Sequence, residues 1–237
     1  MSANRFVDSL ANSGAPSYAC ILGVCGGIAS GKSTALSFLS SRRDANVVCV
    51  SADALGHAAY APGGPANARV AALFPSAVRA GGAIDRAALG AAIFGETAAR
   101  EALNAVVWPA VAELVITEFV TRAKALEATK PPQTPLIGVL EAALLLEAGW
   151  ASQCDAVWLL SAPRDAAIAR IMARGGGIDS AAAAARVDSQ SNAATRLLTA
   201  QAAGVHISAV FETGGPIEET QSKMEAAWGD LMIKVPK

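Results

Sequence analysis

A glycine-rich stretch, GGIASGKST, begins at Gly26 and follows directly on the apolar run CILGVC. It fits the pattern G-x-x-x-x-G-K-[ST], with its second glycine at Gly31 and its basic residue at Lys32. The run before it is typical of a buried strand, and STALSFLSS after it is typical of a helix. A strand, a glycine turn and a helix in this order predict a phosphate-binding loop, which commits the chain to an α/β architecture.

Each residue type in this loop has its own task at a phosphate group. Glycines permit a close backbone approach, and successive amides then point at phosphate oxygens, helped by the helix N-terminus. Lys32 places its charge on the β- and γ-phosphates, Ser33 is the expected Mg²⁺ ligand, and Thr34 can reach the α-phosphate. The pattern predicts an ATP-type triphosphate site formed by Gly27, Ile28, Ala29, Ser30, Gly31, Lys32, Ser33 and Thr34.

Further apolar runs predict a parallel sheet. Strand-like runs cover residues 20–25, 46–50, 135–140, 156–160 and 206–211, and alanine-rich helical stretches separate them. Near-continuous apolar strands that alternate with helices are typical of a parallel sheet covered on both faces. The expected fold is therefore a three-layer α/β fold with a five-stranded parallel sheet.

Three segments stand outside this alternation. Residues 1–17 are small and polar, so we expect a disordered tail before a single domain over residues 18–237. Residues 54–124 contain helix-like segments and predict a helical insertion on the sheet. Residues 174–204 include three glycines near their start and then become alanine-rich, which predicts a hinged lid.

Composition argues against several other classes of protein. The formal net charge is -1, from 19 basic and 20 acidic residues, so nucleic acid is not the expected partner. No run of 18 apolar residues occurs, and we expect no membrane span. The four cysteines form no C-x-x-C pair, which argues against zinc and fits the cytoplasm. We expect a monomer, with an oligomer left open.

An acidic residue follows the second predicted strand. The run NVVCV continues into SAD, which places Asp53 at the carboxyl end of that strand. Because ligands of an open parallel sheet bind at the carboxyl ends of its strands, we expect Asp53 near the phosphate loop. A carboxylate there can accept a proton from an attacking hydroxyl, or it can be the N-cap of the next helix. Spacing alone favours neither role.

The ordered set of motifs resembles one family, the dephospho-coenzyme A kinases. The loop resembles the family's GGIGSGKST, with Ala29 in place of one glycine. The stretches SADALGHAAYAPGGPA, IDRAALGAAIF, ALLLEAG and ARVDSQ resemble further family motifs in the same order, over about residues 20–219. The resemblance implies a P-loop kinase that uses ATP and Mg²⁺ to phosphorylate the ribose 3′-hydroxyl of dephospho-CoA, the last step of CoA synthesis.

The resemblance also implies roles for residues beyond the loop. Asp53 matches the second acid of the family's Asp-Ala-Asp and is implied to activate the ribose hydroxyl. Arg170 and Arg174, one helical turn apart, are implied to neutralise phosphate charge during transfer, with a solvated surface role as the alternative. Two residues in the predicted insertion, His57 and Arg86, are implied to help bind the acceptor, with a structural or surface role as the alternative for each. Trp108, which stands where the family has a histidine, is expected to stack on the acceptor base or to pack within the insertion.

Four more residues are candidates for the predicted site. Glu141 ends the third predicted strand and is expected to orient a Mg²⁺-bound water, while Glu147 is placed on a following helix with a structural role as the alternative. Gly215, in ETGG, lies where the family has an Asp-Asn-x-Gly turn near the adenine. Arg196 is a weaker basic candidate.

The chain departs from the family pattern at several positions. Ser51 replaces the first acid of Asp-Ala-Asp, Trp108 replaces a histidine, and positions 212 and 213 replace Asp-Asn. These changes leave two alternatives open: another small-molecule or nucleoside monophosphate kinase, or a nucleotide-binding homologue impaired in catalysis. At Ala29 we expect a negative φ, because an L-residue is rarely found at positive φ.

Overall fold

The computed structural model describes residues 10, 16–127, 134–175 and 177–235. It divides the chain into two compact units, one of Met1–Val50 with Phe119–Lys237 and the other of Ser51–Glu118. The predicted tail over residues 1–17 lies mostly outside the described residues. The disorder predicted for it therefore stays a prediction.

A five-stranded parallel sheet forms the centre of the first unit. Its strands are β1 (Cys20–Gly26), β2 (Asn46–Ser51), β3 (Leu136–Glu141), β4 (Ala156–Ser161) and β5 (Ala209–Glu212). They lie in the order β2-β3-β1-β4-β5, so β1 is central and the phosphate loop leaves the middle of the sheet. The predicted sheet is confirmed, and the last strand begins at Ala209 instead of at residue 206.

Helices connect the strands and cover the sheet. In the described part of the chain they are α1 (Lys32–Ser40), α2 (Ala52–Ala59), α3 (Asn67–Leu73), α4 (Arg86–Ile93), α5 (Thr97–Glu127), α6 (Arg164–Ala173), α7 (Ser180–Asp188), α8 (Ala193–Ala202) and α9 (Ile217–Lys234). Two short 3₁₀ turns cover Pro75–Ala77 and Trp150–Gln153.

The core of the first unit holds β1 and α1 rigidly on either side of the loop. Leu39 of α1 is fully buried in the same apolar cluster as Trp158 of β4 and Trp228 of α9. The rings of Trp158 and Phe211 meet edge to face, with centroids 5.1 Å apart. Trp228 Nε1 donates a hydrogen bond to Asp44 Oδ2 at 2.8 Å, which satisfies the buried indole.

The second unit contains α2, α3, α4 and most of α5. Asp85 caps α4, because its side chain accepts hydrogen bonds from the amides of Ala87 and Ala88 at 2.8 and 3.2 Å. Asn67 Nδ2 donates to Tyr60 O at 2.9 Å and ties the start of α3 to the end of α2. The unit covers Ser51–Glu118, where the sequence predicted an insertion over residues 54–124.

Helix α5 is long and apolar enough, by length and composition alone, to cross a membrane. This is weak evidence, because the core helix of a soluble protein passes the same test. In the first unit, the ring of Phe119 on α5 lies edge-on to Tyr18 with centroids 5.3 Å apart, and Tyr18 Oη donates to Phe119 O. The absence of a membrane span stays a prediction.

The predicted lid contains α7 and α8. Gly175 and Gly177, which precede α7, have φ values of +82° and +67°, in the region that favours glycine. Gly176 lies outside the described residues. These angles suit the turn that the sequence predicted there, and the hinge motion stays a prediction.

Candidate active site

The phosphate loop joins β1 to α1 as predicted, and its glycines are demanded by the backbone. Gly31 has a φ of +95° and immediately precedes the first residue of α1. A Cβ at Gly26, which has a φ of +151°, would lie 2.6 Å from Ser30 Oγ and would also meet the carbonyl oxygen of Leu160. Both positions therefore exclude a side chain, which keeps the loop wrapped closely on β4.

Lys32 and Glu141 lie together at the base of the loop. Lys32 Nζ donates to Gly26 O at 3.0 Å and to Gly27 O at 3.2 Å. Lys32 Nζ also lies 3.8 Å from Glu141 Oε1, and the Glu141 side chain is only 8% exposed. The strand order explains this meeting, because Glu141 pairs with Val24 across β1 and β3. The predicted cation is thus held at the loop by backbone carbonyls and a buried carboxylate.

A cavity of about 230 Å³ opens beside the loop. It brings together seven of the predicted residues: Ala29, Gly31, Ser33, Thr34, Arg170, Arg174 and Gly215. They come from the phosphate loop with the start of α1, from the end of α6 and from the turn after β5, three places far apart in the sequence. The binding of a nucleotide in this cavity stays a prediction.

A larger cavity, of about 520 Å³, lies at the amino ends of β1 and β4 and contains none of the predicted site residues. Cys20 and His206 line it. Burial raises the pKa of the Cys20 thiol to about 12, so the thiol is protonated at neutral pH and is a poor nucleophile. A choice of active site by cavity volume alone would therefore select a cavity that is not at the phosphate loop.

Arg170 is bound to protein acceptors at the edge of the nucleotide cavity. Its Nη1 donates to Ala29 O and to Thr213 Oγ1, both at 3.0 Å, and its Nη2 donates to Thr213 O. Arg174, by contrast, makes no side-chain hydrogen bond or ion pair to any described residue and is exposed. Arg174 is therefore the better placed of the two for a phosphate, and both assignments stay predictions.

The buried hydroxyl of Thr213 fastens the turn after β5 to the loop. Thr213 is 5% exposed, and its Oγ1 lies 3.0 Å from Ser30 O and 3.1 Å from Ser161 O, to one of which it can donate. In the sequence, Thr213 stands out only as a departure from the family's Asp-Asn. No sequence pattern indicated this role, because its partners come from β4 and from the loop.

The prediction for Ala29 is wrong: its φ is +58°, in the left-handed region. This conformation costs a non-glycine residue about 1–2 kcal/mol. Two contacts hold it there: the carbonyl oxygen accepts from Arg170, and the methyl group packs with Ala167, Ile171 and Ala183. Tertiary contacts thus impose a backbone angle that local preference disfavours.

Replacing Ala29 by valine is expected to destabilise the protein by about 2 kcal/mol, because β-branching at positive φ adds strain in a packed position. Ala29→Gly is the matched control. Relief of the backbone strain offsets the lost methyl burial of about 0.8 kcal/mol, so its stability should stay within about 1 kcal/mol. Urea unfolding measures both free energies. A valine variant as stable as the parent would contradict the strained conformation.

Two predicted oxygen donors fit a magnesium ion that is bound together with a nucleotide. Ser33 is exposed at the start of α1, and Glu141 ends β3. Among the residues that the structure describes, no group of three or more His, Cys, Asp or Glu side chains could hold a metal ion. Mg²⁺ that bridges phosphates takes most of its ligands from them and from water, so one or two protein oxygens suffice.

Three of the predicted acceptor-side residues lie together in the second unit. Asp53 and His57 are one turn apart on α2, and Arg86 begins α4. The pKa of His57 is lowered, mainly by partial burial and to a smaller extent by the positive charge of Arg86. The negative charge of Asp53 acts in the opposite direction and raises this pKa. The unit therefore groups one carboxylate, one imidazole and one guanidinium.

The N-cap of α2 is Ser51, not Asp53. Ser51 has an extended backbone, and its side chain accepts a hydrogen bond from the amide of Ala54 at 3.4 Å. The alternative role of Asp53 as N-cap is therefore wrong. Asp53 lies in the first turn of α2, where the helix dipole favours a carboxylate.

Trp108 is half-buried in the middle of α5, one residue before Pro109. Proline within a helix removes one backbone hydrogen bond and favours a kink at this point. The predicted contact of Trp108 with the acceptor stays a prediction.

The model of the dephospho-CoA kinase family matches residues 20–205. The chain belongs to this family. The dephospho-CoA kinase of Moorella thermoacetica is 37% identical over 212 residues, 89% of this chain and 92% of that protein. The dephospho-CoA kinase of Geobacter metallireducens is 33% identical over 218 residues, 92% and 99% of the two chains.

Solved structures agree with the fold of a dephospho-CoA kinase. TT1252 from Thermus thermophilus has a TM-score of 0.66 at 29% identity, covering 91% of this chain and 99% of that one. The dephospho-CoA kinase from Campylobacter jejuni has a TM-score of 0.54 at 19% identity, covering 89% and 96%. The second likeness shows the fold alone. The P-loop kinase fold predicted from the motifs is confirmed.

Arg196 has a buried anchoring role in this dephospho-CoA kinase family member. It is 2% exposed, and it donates to Ser191 O at 3.0 Å and to Ala143 O at 2.7 Å. Its Nη1 lies 3.7 Å from Glu147 Oε1. Glu147 itself lies in a turn over residues 143–149, so its predicted place on a helix is wrong. This cluster ties α8 to the segment after β3.

Proposed function

We propose that this protein transfers the γ-phosphoryl group of ATP to the ribose 3′-hydroxyl of dephospho-CoA, which yields CoA and ADP. The observation that carries the proposal is the family match over residues 20–205, within which the phosphate loop and Asp53 both lie. The 37% identity to the dephospho-CoA kinase of Moorella thermoacetica supports it.

On the donor side, the loop amides and Lys32 hold the β- and γ-phosphates. Lys32 Nζ exchanges the carbonyls of Gly26 and Gly27 for phosphate oxygens, which are stronger acceptors. Arg174 neutralises charge that builds during transfer. Mg²⁺, held by Ser33 with Glu141 orienting its water, would offset the charge of the same phosphates.

On the acceptor side, Asp53 positions the ribose 3′-hydroxyl and accepts its proton. The hydroxyl oxygen forms a bond to the γ-phosphorus as the bond to the ADP oxygen breaks, and the proton passes to the carboxylate. His57, Arg86 and Trp108 hold dephospho-CoA. The grouping of Asp53, His57 and Arg86 supports this assignment.

A direct comparison of acceptors tests the proposed function. With ATP and Mg²⁺, we expect kcat/KM for dephospho-CoA to exceed that for AMP by about 100-fold or more. AMP lacks polar groups that dephospho-CoA carries beyond its nucleotide, so polar groups of the site that bind them would be left unpaired. Coupled ADP release gives the rates, and mass spectrometry identifies CoA. Faster turnover of a monophosphate would favour a nucleoside monophosphate kinase. Tight ATP binding without turnover of any acceptor would indicate an impaired homologue.

We infer a cytoplasmic monomer. All four cysteines are free thiols, which fits a reducing compartment. Burial raises the pKa of Cys25 to about 12, so this thiol stays protonated as a small core residue. Light scattering after size-exclusion chromatography measures the mass in solution. A mass of twice the monomer would overturn the inference of a monomer.

A further inference from the structure

Gln190 reaches the phosphate loop from the turn between α7 and α8. Its Oε1 accepts a hydrogen bond from the amide of Ile28 at 2.6 Å, across 162 positions of sequence. A Cβ built on Gly27 would lie 3.4 Å from the same oxygen, so the loop backbone passes close to this side chain. The loop and the predicted lid are therefore joined directly by one glutamine.

This hydrogen bond determines which way the amide faces. A backbone N–H can only donate, so the oxygen of Gln190 and not its nitrogen must lie at Ile28. The nitrogen Nε2, with two donors, then lies on the other arm of the amide. It makes no hydrogen bond to any residue that the structure describes.

The Gln190 side chain lines a second cavity beside the loop, on its lid side, with a volume of about 410 Å³. Gly27, Ile28 and Ser30 line the same cavity. It shares none of its lining residues with the cavity that contains Ser33, Thr34 and Gly215. The loop thus separates two openings.

This second cavity is rich in hydrogen-bond donors. Ser30 and Arg196 line it, each is 2% exposed, and Ser30 Oγ and Arg196 Nη2 have no hydrogen-bond partner among the described residues. Asp188 is the only carboxylate among the lining residues that the structure describes, and Arg164 binds both of its oxygens at 2.7 Å. Buried donors without partners are costly, so the cavity suits a ligand with acceptor oxygens.

One neighbouring group moderates the charge of this cavity. The carboxylate of Glu147 lies 3.7 Å from Arg196 and balances much of its charge, while Glu147 Oε2 has no hydrogen-bond partner among the described residues. The selectivity of the cavity therefore rests on directed N–H and O–H groups more than on net charge. Among these groups, Ser30 belongs to the loop itself, and Gln190 is bound to the loop through Ile28.

The turn that carries Gln190 is well supported. The amide of Gln190 donates to Val187 O at 3.2 Å, and Asn192 caps α8 by accepting from the amide of Thr195 at 2.9 Å. Arg196 Nε donates to Ser191 O at 3.0 Å from its buried position. A side chain held in this way can present its free amide arm without a large loss of entropy on binding.

We propose that Gln190 contacts a phosphate oxygen of a bound substrate through Nε2 while Oε1 remains on Ile28. This inference rests on the proposed function, which supplies two sources of such an oxygen: the phosphates of ATP and the diphosphate of dephospho-CoA. Both present the same acceptor chemistry to an amide donor.

Two substitutions at this position separate the tasks of the two amide arms. Gln190→Glu keeps an oxygen for Ile28 but replaces the Nε2 donors by a second, negatively charged oxygen. Gln190→Leu removes both arms. We expect each variant to weaken the affected substrate by about 10- to 100-fold, the effect of one hydrogen bond to a charged group. Gln201→Glu makes the same charge change at an exposed position of α8 and should stay within about twofold.

Calorimetry with ATP and Mg²⁺, without acceptor, and steady-state KM values for dephospho-CoA identify the source of the oxygen. Weaker ATP binding assigns the contact to ATP, and a raised KM for dephospho-CoA alone assigns it to the acceptor. Unchanged constants in Gln190→Glu overturn the proposal, whether or not the melting temperature falls. A parent protein that binds ATP but does not phosphorylate dephospho-CoA would overturn the proposed function instead, and the ATP affinities would still test Gln190.

Discussion

Asp53→Asn is expected to lower kcat with dephospho-CoA by about 10²- to 10⁴-fold, the range that one positioned general base contributes. Asparagine keeps the size of the side chain but cannot accept the hydroxyl proton. The helix should remain intact, because Ser51 and not Asp53 caps α2. Single-turnover phosphorylation measures the chemical step, and circular dichroism checks the helix content.

A matched control for this substitution lies on α6. Asp165 is also an acidic residue in the first turn of a helix, and its side chain is 98% exposed. Asp165→Asn should leave kcat within about twofold, because an exposed surface change seldom alters a distant step. Turnover by Asp53→Asn at the rate of the parent would remove Asp53 from the mechanism. Removing its charge should also lower the pKa of His57 further, since that charge raises it.

Lys32→Met is expected to reduce kcat/KM for ATP by about 10²- to 10³-fold, the typical effect of removing one positioned donor for developing charge. Methionine keeps the length of the side chain and loses the cation that pairs with Glu141 at 3.8 Å. Loss of a partner from a buried ion pair also lowers stability. The measurements are kcat/KM with ATP as the varied substrate, and urea unfolding.

A second variant separates catalysis from stability. Lys32→Met combined with Glu141→Gln removes both charges, so we expect it to recover stability but not activity. Lys223→Met, at an exposed position of α9, is the control for loss of a lysine elsewhere. If Lys32→Met kept kcat/KM within tenfold of the parent, the lysine would have no role at the phosphates.

Local patterns predicted the sheet well. The strands β1 to β4 lie within one residue of the predicted runs, because strands buried on both faces are apolar along their whole length. The pattern predicted the start of β5 three residues too early, since only Phe211 among its four residues is buried and the apolar signal is weak. The phosphate loop was equally clear, because its chemistry depends on residues that are neighbours in the chain.

Contacts between distant segments explain the wrong prediction at Ala29 and the missed role of Thr213. The positive φ of Ala29 depends on Arg170 and on packing against α6 and α7, which no window around position 29 contains. The anchoring role of Thr213 depends on carbonyls of Ser30 and Ser161. In each case the partner lies more than fifty residues away or in another element, so local spacing carries no information about it.

By itself, the sequence determined the α/β class, the triphosphate site and the family, because those follow from residues that are adjacent in the chain or recur in order along it. Only the tertiary structure decided that Glu141 meets Lys32, that Ser51 rather than Asp53 caps its helix, and that Gln190 bonds to the loop. The physical reason is that a hydrogen bond or ion pair depends on distances of a few ångströms between atoms, and the packing of the sheet and helices sets those distances.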